Sequence, residues 1–369
     1  MTRAVGPRGY GLPADVVGFA GLAAVLLVIL LPVLVAGASI DRPATESERA
    51  LVSSIGEQPT EGLPGPFRSF VELWLDPVDD LSKVEGAVTR SRFGALGLLL
   101  VTSILTFAST AQALSRGFAA LACLALALSP AIQVEGATLR PEALALLFAQ
   151  LGCAVLVSLP AQQRASRQRG PLGAVLTAIS AGACYALCVA SVPRQAVSFG
   201  VPVTCALFAV LRASRGFLRT ATRTRFRVLP FRSFRRRTGP LALAAVTTLV
   251  AALGFLRGEP PISRGAGLFP SYFALEFLGR ALLFVGLLGW LPGLLRQWLR
   301  SSYFSAAHIL FVHSAILAAT SWSLQDGDDH SLAAPGVGMF SAYGVGVLIY
   351  LIGRTTIGRP GESIAADSD

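Results

Sequence analysis

The chain has 369 residues, with 31 Lys and Arg against 21 Asp and Glu and a formal net charge of +10. Hydrophobic residues make up 53% and charged residues only 14%, and the mean hydropathy is +0.62, a balance that excludes an ordinary soluble domain. Apolar segments of about 17 to 25 residues recur, the length that crosses ~30 Å of hydrocarbon as a helix; such unbroken runs do not suit a β-barrel, whose strands alternate over about ten residues.

In chain order, spans are predicted at Val16 to Ala38, Phe93 to Ala113, Gly117 to Val134, Pro141 to Pro160, Leu172 to Val192, Gln195 to Leu211, Leu241 to Leu256, Tyr272 to Leu295, Tyr303 to Trp322 and Gly336 to Gly353. The expectation is therefore an all-α, polytopic membrane protein of about ten transmembrane helices in a single transmembrane domain, residues 1–369. The first apolar run exceeds the roughly 7 to 15 residues of a cleaved signal core, so an uncleaved first span is expected.

The loop from Ser39 to Arg92 is the long outward loop, and any outward chemistry must use it. Its segment GPFRSFVELWL, Gly65 to Leu75, sets Phe67, Phe70, Val71, Trp74 and Leu75 on one side, the pattern of a short helix lying at the membrane interface with Trp74 at headgroup level. Arg140, Pro141 and Glu142 then stand between two apolar runs.

Arginine sorts the two sides. Arg3, Arg8, Arg116, Arg164, Arg167, Arg169, Arg296, Arg300, Arg354 and Arg359 fall on one side, if both termini are cytoplasmic. So does the basic loop 212–238, with ten arginines from Arg212 to Arg237. Phe217, Phe226, Phe231 and Phe234 interleave with these arginines, a pattern also met at nucleic-acid surfaces; topology and anionic lipid account for it better, and no nucleic-acid partner is expected. The expected location is a bacterial inner membrane.

Five cysteines, Cys123, Cys153, Cys184, Cys188 and Cys205, fall within predicted spans, which argues for small apolar packing over a disulfide framework or a zinc site. His308 and His313 lie about 140° apart on a helix and make poor joint ligands. Glu276 and Arg280, at i and i+4, read as a mutually neutralising pair. Asp326, Asp328, Asp329 and His330 match no calcium loop and read as a solvated turn. No metal or other cofactor is indicated.

The stretch from about Val25 to Val155 resembles the first half of the GT-C superfamily of polyprenyl-phosphate-sugar-dependent glycosyltransferases, which includes the protein O-mannosyltransferases and the bacterial aminoarabinose transferases. The resemblance rests on an acid soon after the first span, Asp41 in GASIDRPATESERA, and on the proline-containing amphipathic segment GLPGPFRSFVELWL. Arginines precede the second span in AVTRSRFGALGLLL, Ser129 and Pro130 end a helix, and the triplet Arg140, Pro141 and Glu142 opens the fourth span. The order and spacing carry it, over less than half of the chain. The chain departs from the pattern in having Arg42 and Pro43 after Asp41, where relatives place a second acid, and in lacking a tyrosine in this loop.

That resemblance implies a GT-C-like fold and transfer of a sugar from a lipid-linked donor to a glycan, lipid or protein acceptor. Asp41 is the candidate base for the acceptor hydroxyl. Arg140, with Arg90 and Arg92 behind it, is the candidate ligand of the donor phosphate, because guanidinium forks hold phosphate and retain their charge. Glu142 is a secondary candidate that more simply caps the helix dipole. Each has a plainer counterpart: Asp41 solvating the span end, and Arg140 and Glu142 forming an interfacial pair with Pro141 in the first helical turn. A transporter or flippase, or a noncatalytic GT-C-like protein, is the competing class; a transporter would call for related halves and midplane polar sites.

Overall fold

The computed structural model describes residues 14–45, 48–49, 51–52, 65–75, 84–128, 132–133, 136–169, 172–192, 200–221, 230–255 and 305–323. Among the described residues every regular element is helical. The helices are α1 (Ala14–Gly37), α2 (Gly65–Trp74), α3 (Val84–Ala113), α4 (Arg116–Ala127), α5 (Pro141–Arg169), α6 (Leu172–Ser191), α7 (Gly200–Ala221), α8 (Pro230–Phe255) and α9 (Ala306–Ser323). Three are long and apolar enough to cross a membrane: α3, α5 over Pro141–Gln162, and α6. Elsewhere in the described chain the apolar helical stretches run to 10–17 residues. The spans expected at Tyr272 to Leu295 and Gly336 to Gly353, and the pairs or turns at Glu276, Arg280 and Asp326 to His330, lie outside the described residues.

Several boundaries depart from the hydropathy pattern. Helix α3 starts at Val84 rather than Phe93, so Arg90 and Arg92 stand on the helix itself and not in a loop before it. Helix α4 stops at Ala127, short of the expected Val134, with Leu128 as an αR C-cap whose N–H reaches Leu124 O. The approaching Ser129-Pro130 pair explains this, since proline disfavours the α conformation in the residue before it. At about 18 Å, twelve residues of helix do not reach across a hydrocarbon core. Within the basic loop 212–238, the chain remains helical to Ala221 and resumes helix at Pro230, so much of that segment extends α7 and α8.

The helices pack in a chain of neighbours: α1 on α3 and α4, α3 on α4 and α5, α5 on α6, α6 on α8, α8 on α7, with α9 against α5, α7 and α3. Small residues set the closest of these contacts. On α6 the buried face carries Ala174, Ala178, Ala181 and Gly182, and a methyl at Gly182 would lie 2.8 Å from Ala244 O of α8. Thr248 ties the same pair by donating to Gly182 O at 3.2 Å as well as to its own helix at Ala244 O.

Helix α3 buries a polar stripe, Thr102, Ser103, Thr106 and Ser109. It stays inside because each hydroxyl donates back to a carbonyl three or four residues earlier, at 2.8 to 3.2 Å. By contrast α1 turns Leu22, Leu26, Leu27, Leu30 and Leu34 outward, an apolar surface suited to lipid rather than water.

Candidate functional site

Helix α1 ends at Gly37 and the chain folds at once into a tight turn, with Ser39 N–H, Ile40 N–H and Arg42 N–H bonded to Ala36, Gly37 and Ser39 carbonyls. Asp41 sits in this turn with its side chain exposed. The turn is fixed from below by Arg92. Its Nε donates to Glu48 Oε1 at 3.0 Å and one Nη to Glu48 Oε2 at 2.8 Å. The other Nη donates to Ile40 O at 2.5 Å and Arg42 O at 2.6 Å, and the Nη that holds Glu48 also donates to Pro43 O at 3.3 Å. A guanidinium has five N–H donors, so these bonds engage all of them.

Glu48 is in turn held at the start of a short helical segment. Thr45 N–H donates to Glu48 Oε2 at 2.9 Å, the Thr45 hydroxyl donates to the same oxygen at 3.0 Å, and Glu48 N–H reaches Thr45 Oγ1 at 3.3 Å. This is a capping box. Arg42 adds a second cation at 3.6 Å. Burial alone would raise the Glu48 pKa, but hydrogen bonds from Arg92 and Thr45 and the Arg92 charge outweigh it and bring the group down to about 2. Both Glu48 and Arg92 are nearly closed to solvent, at 2% and 3% exposure.

The second half of the site arrives from segment 136–140. Gly136 lies against Ala36, where an added Cβ would come within 2.8 Å of the alanine methyl, so only a hydrogen fits. Two residues on, the Thr138 hydroxyl accepts from Arg42. The turn carrying Asp41 and the segment leading to Arg140 are thus joined directly. Pro141 then opens α5, with Glu142 in its first turn, the favoured place for both.

Arg140 lines a cleft with Thr138, Gly136, Ile132, Thr102, Ala95, Leu99, Ala143 and Leu146. Its volume is about 30 Å³, room for roughly two water molecules. Thr102, Thr138 and Arg140 are its polar lining, and the remaining side chains are apolar. Below it two apolar clusters support the loops: Ala36, Leu99, Leu126 and Ile132, and Val52, Phe67, Val71, Leu75, Val88, Ala95, Leu98, Leu139 and Leu144.

The second cluster includes the buried face expected for Gly65 to Leu75. Phe67, Val71 and Leu75 are inside, Phe70 packs on their edge, and Trp74 stacks on Phe70 at 6.3 Å. The Trp74 indole N–H donates to Arg90 O at 3.0 Å and its ring lies over Gly94. Arg90 itself is exposed. Two residues apart on a helix, Arg90 and Arg92 project about 200° from each other, so the Arg92 side chain enters the buried clasp while Arg90 stands on the exposed face. Arg92 was expected to assist in binding the donor phosphate; a phosphate could reach its donors only by displacing Glu48 or three backbone carbonyls.

Sequence reading did not single out Glu48, Thr138 or Gly136. A signal for Glu48 was present in Thr45-Glu46-Ser47-Glu48, a capping-box spacing. Away from this site, His308 caps α9 through Ser305, whose N–H and hydroxyl approach its Nδ1 at 3.2 and 2.7 Å, while His313 meets Tyr185. The two histidines therefore have separate surroundings. All five cysteines are buried free thiols. No protein-family model and no curated protein matches this chain.

Proposed function

We propose that this protein is a membrane glycosyltransferase that moves a sugar from a polyprenyl-phosphate donor to an acceptor at the extracytoplasmic face. The reading combines the GT-C resemblance of the first 155 residues with one structural observation: the turn bearing Asp41 and the segment bearing Arg140 are linked by Arg42 and Thr138 beside a cleft that Thr138 and Arg140 line. In this reading the chain carries about ten spans with both termini cytoplasmic, in a bacterial inner membrane.

The chemistry follows from these groups. Asp41 takes the proton of the acceptor hydroxyl as its oxygen attacks the anomeric carbon. The bond to the donor phosphate breaks on the opposite side, its electron pair leaves with the phosphate, and the configuration inverts. Arg140 stabilises the charge that appears on the departing group. The cleft is too small for a sugar ring, so the phosphate sits at Arg140 and the sugar lies above, toward the exposed Asp41. Arg92 and Glu48 hold the turn in place.

The test is mass spectrometry of envelope glycans in the producing cell, comparing wild type, a deletion and Asp41→Asn. Deletion and Asp41→Asn are expected to lose the same glycan, with at least a 100-fold drop for the variant, the low end of general-base effects. Full retention of the glycan by Asp41→Asn removes Asp41 as base, and an unchanged glycan profile on deletion removes the enzyme. A second reading, a carrier of small polar solutes, is favoured by the fully buried Gln150 and His313 inside the bundle. It predicts loss of solute uptake on deletion with every glycan intact.

A further inference from the structure

Helix α3 keeps one exposed face along most of its length. Phe93, Gly97, Val101, Ile104 and Ala108 are all exposed, and so is Arg90; at 100° per residue the six share an arc of about 80°. Below Arg90 this face holds only apolar or small side chains, a surface suited to lipid. The helix has 30 residues, a length of about 45 Å against ~30 Å of hydrocarbon. With the apolar run from Phe93 laid across the hydrocarbon, Arg90 stands about 4.5 Å above it, one turn into the headgroup layer. Helical side chains lean toward the N-terminus, so the guanidinium reaches further into that layer while its stem follows the apolar face. Trp74 lies at the same level, since its N–H donates to Arg90 O at 3.0 Å and its ring covers Gly94, and the headgroup boundary is the depth that indoles favour. The face is open above and below: an added Cβ at Gly86, one turn before Arg90, or at Gly97, one turn after Phe93, would meet nothing within 4 Å.

We propose that Arg90, Trp74 and the Phe93 to Ile104 face of α3 bind an anionic phospholipid, with its phosphate on the Arg90 guanidinium and an acyl chain along the helix. Charge complementarity selects this occupant. A guanidinium at the head of an apolar track matches a molecule that joins a phosphate to hydrocarbon, and its planar fork offers that phosphate paired N–H donors. An anionic headgroup keeps its net charge beside Arg90, whereas a zwitterionic one carries a cation that offsets the attraction. The open notch at Gly97, between Phe93 and Val101, lets the chain approach the helix backbone. Arg90 then serves the lipid side of α3, while Arg92, on the opposite side, serves the loops. The site requires α3 to span the bilayer and does not depend on the glycosyltransferase reading.

Photo-crosslinking of the full chain in phosphatidylcholine nanodiscs tests this, with adducts mapped by mass spectrometry. Two probes carry the same diazirine-bearing acyl chain, one on phosphatidylglycerol and one on phosphatidylcholine. The phosphatidylglycerol probe is expected to label the stretch from Phe93 to Ile104 about five-fold more than the phosphatidylcholine probe, the weight of one arginine near a membrane surface. Equal labelling by the two probes overturns the proposal, whatever any variant does. Arg90→Gln should bring the phosphatidylglycerol probe down to the phosphatidylcholine level; the exposed side chain is lost while the Trp74 bond, made to the Arg90 carbonyl, is kept. Arg68→Gln, which removes an exposed arginine of α2 paired with Glu72, should label as wild type. Wild-type labelling of Arg90→Gln, or an equal loss in Arg68→Gln, would replace a local site by diffuse surface charge. Loss of labelling in excess inorganic phosphate would mean a free-anion site, and chain-to-chain crosslinks with no lipid adduct on this stretch would mean a second copy covers it; either result overturns the lipid.

Discussion

Replacing Glu48 by Gln probes the clasp through its response to pH. The native carboxyl has a pKa of about 2 against an ordinary value of 4.5. A difference of this size corresponds to about 3 kcal/mol favouring the ionised form in the folded protein. The sign is that of a depressed acid: the contribution is complete above the unfolded pKa and is lost as pH falls from about 5 through about 2. Glu48→Gln keeps the size and one hydrogen-bonding oxygen but carries no charge, so it lacks this contribution at every pH. At neutral pH the variant should melt about 6 °C below wild type, taking about 2 °C per kcal/mol for a large chain. Near pH 2 the two should converge. All other carboxyls titrate in both proteins, so the difference between the curves isolates Glu48. Intrinsic tryptophan emission during heating supplies the assay, because it reads unfolding at every pH in the series. Parallel curves, with a constant gap between pH 7 and pH 2, would refute the idea that an ionised Glu48 anchors Arg92.

Two further substitutions test the packing that supports the site. Gly182→Ala places a methyl 2.8 Å from Ala244 O and from Thr247 Cβ; these neighbours are backbone and a stiff β-branched residue, so α6 and α8 must separate, costing about 1 to 3 kcal/mol, and an unchanged melting point would show the helices are not this close. Gly94→Ala places a methyl 2.7 Å from the Trp74 indole nitrogen. The ring should swing off its bond to Arg90 O and into solvent, with a red-shifted tryptophan emission and a melting loss smaller than that of Gly182→Ala, because a side chain yields more easily than backbone.

The parts legible from sequence were the local ones. Pro141 marked the first turn of α5, and the apolar face of Gly65 to Leu75 was set by the 3.6-residue period. The start of α3 was misplaced because hydropathy sees only the apolar run from Phe93, whereas the polar turns from Val84 to Arg92 continue the same helix outside that run. The clasp was hidden for a different reason. Arg92 meets its partners 44 to 52 residues away, and Arg42 meets Thr138 across 96 residues. Contacts at such separation leave no spacing to read, and only the capping box at Thr45 and Glu48 had a local signature.

The two arginines of α3 also constrain how an anion can be held here. Their directions differ by about 200°, so no single phosphate can be gripped by both. Arg92 is the one turned to the loops, where its five bonds fix the backbone on both sides of Asp41 through the Ile40 and Arg42 carbonyls and leave the Asp41 carboxylate in solvent. It positions that turn without touching the side chain. An anion bound beside Asp41 by more than one guanidinium must therefore draw on different elements, and Arg140, lining the cleft at the start of α5, is the cation that the Arg42–Thr138 link brings to the Asp41 side of the bundle. Loss of that link, as in Thr138→Val, should then weaken anion binding more than it weakens the fold, since the hydroxyl joins two segments that the apolar clusters already support.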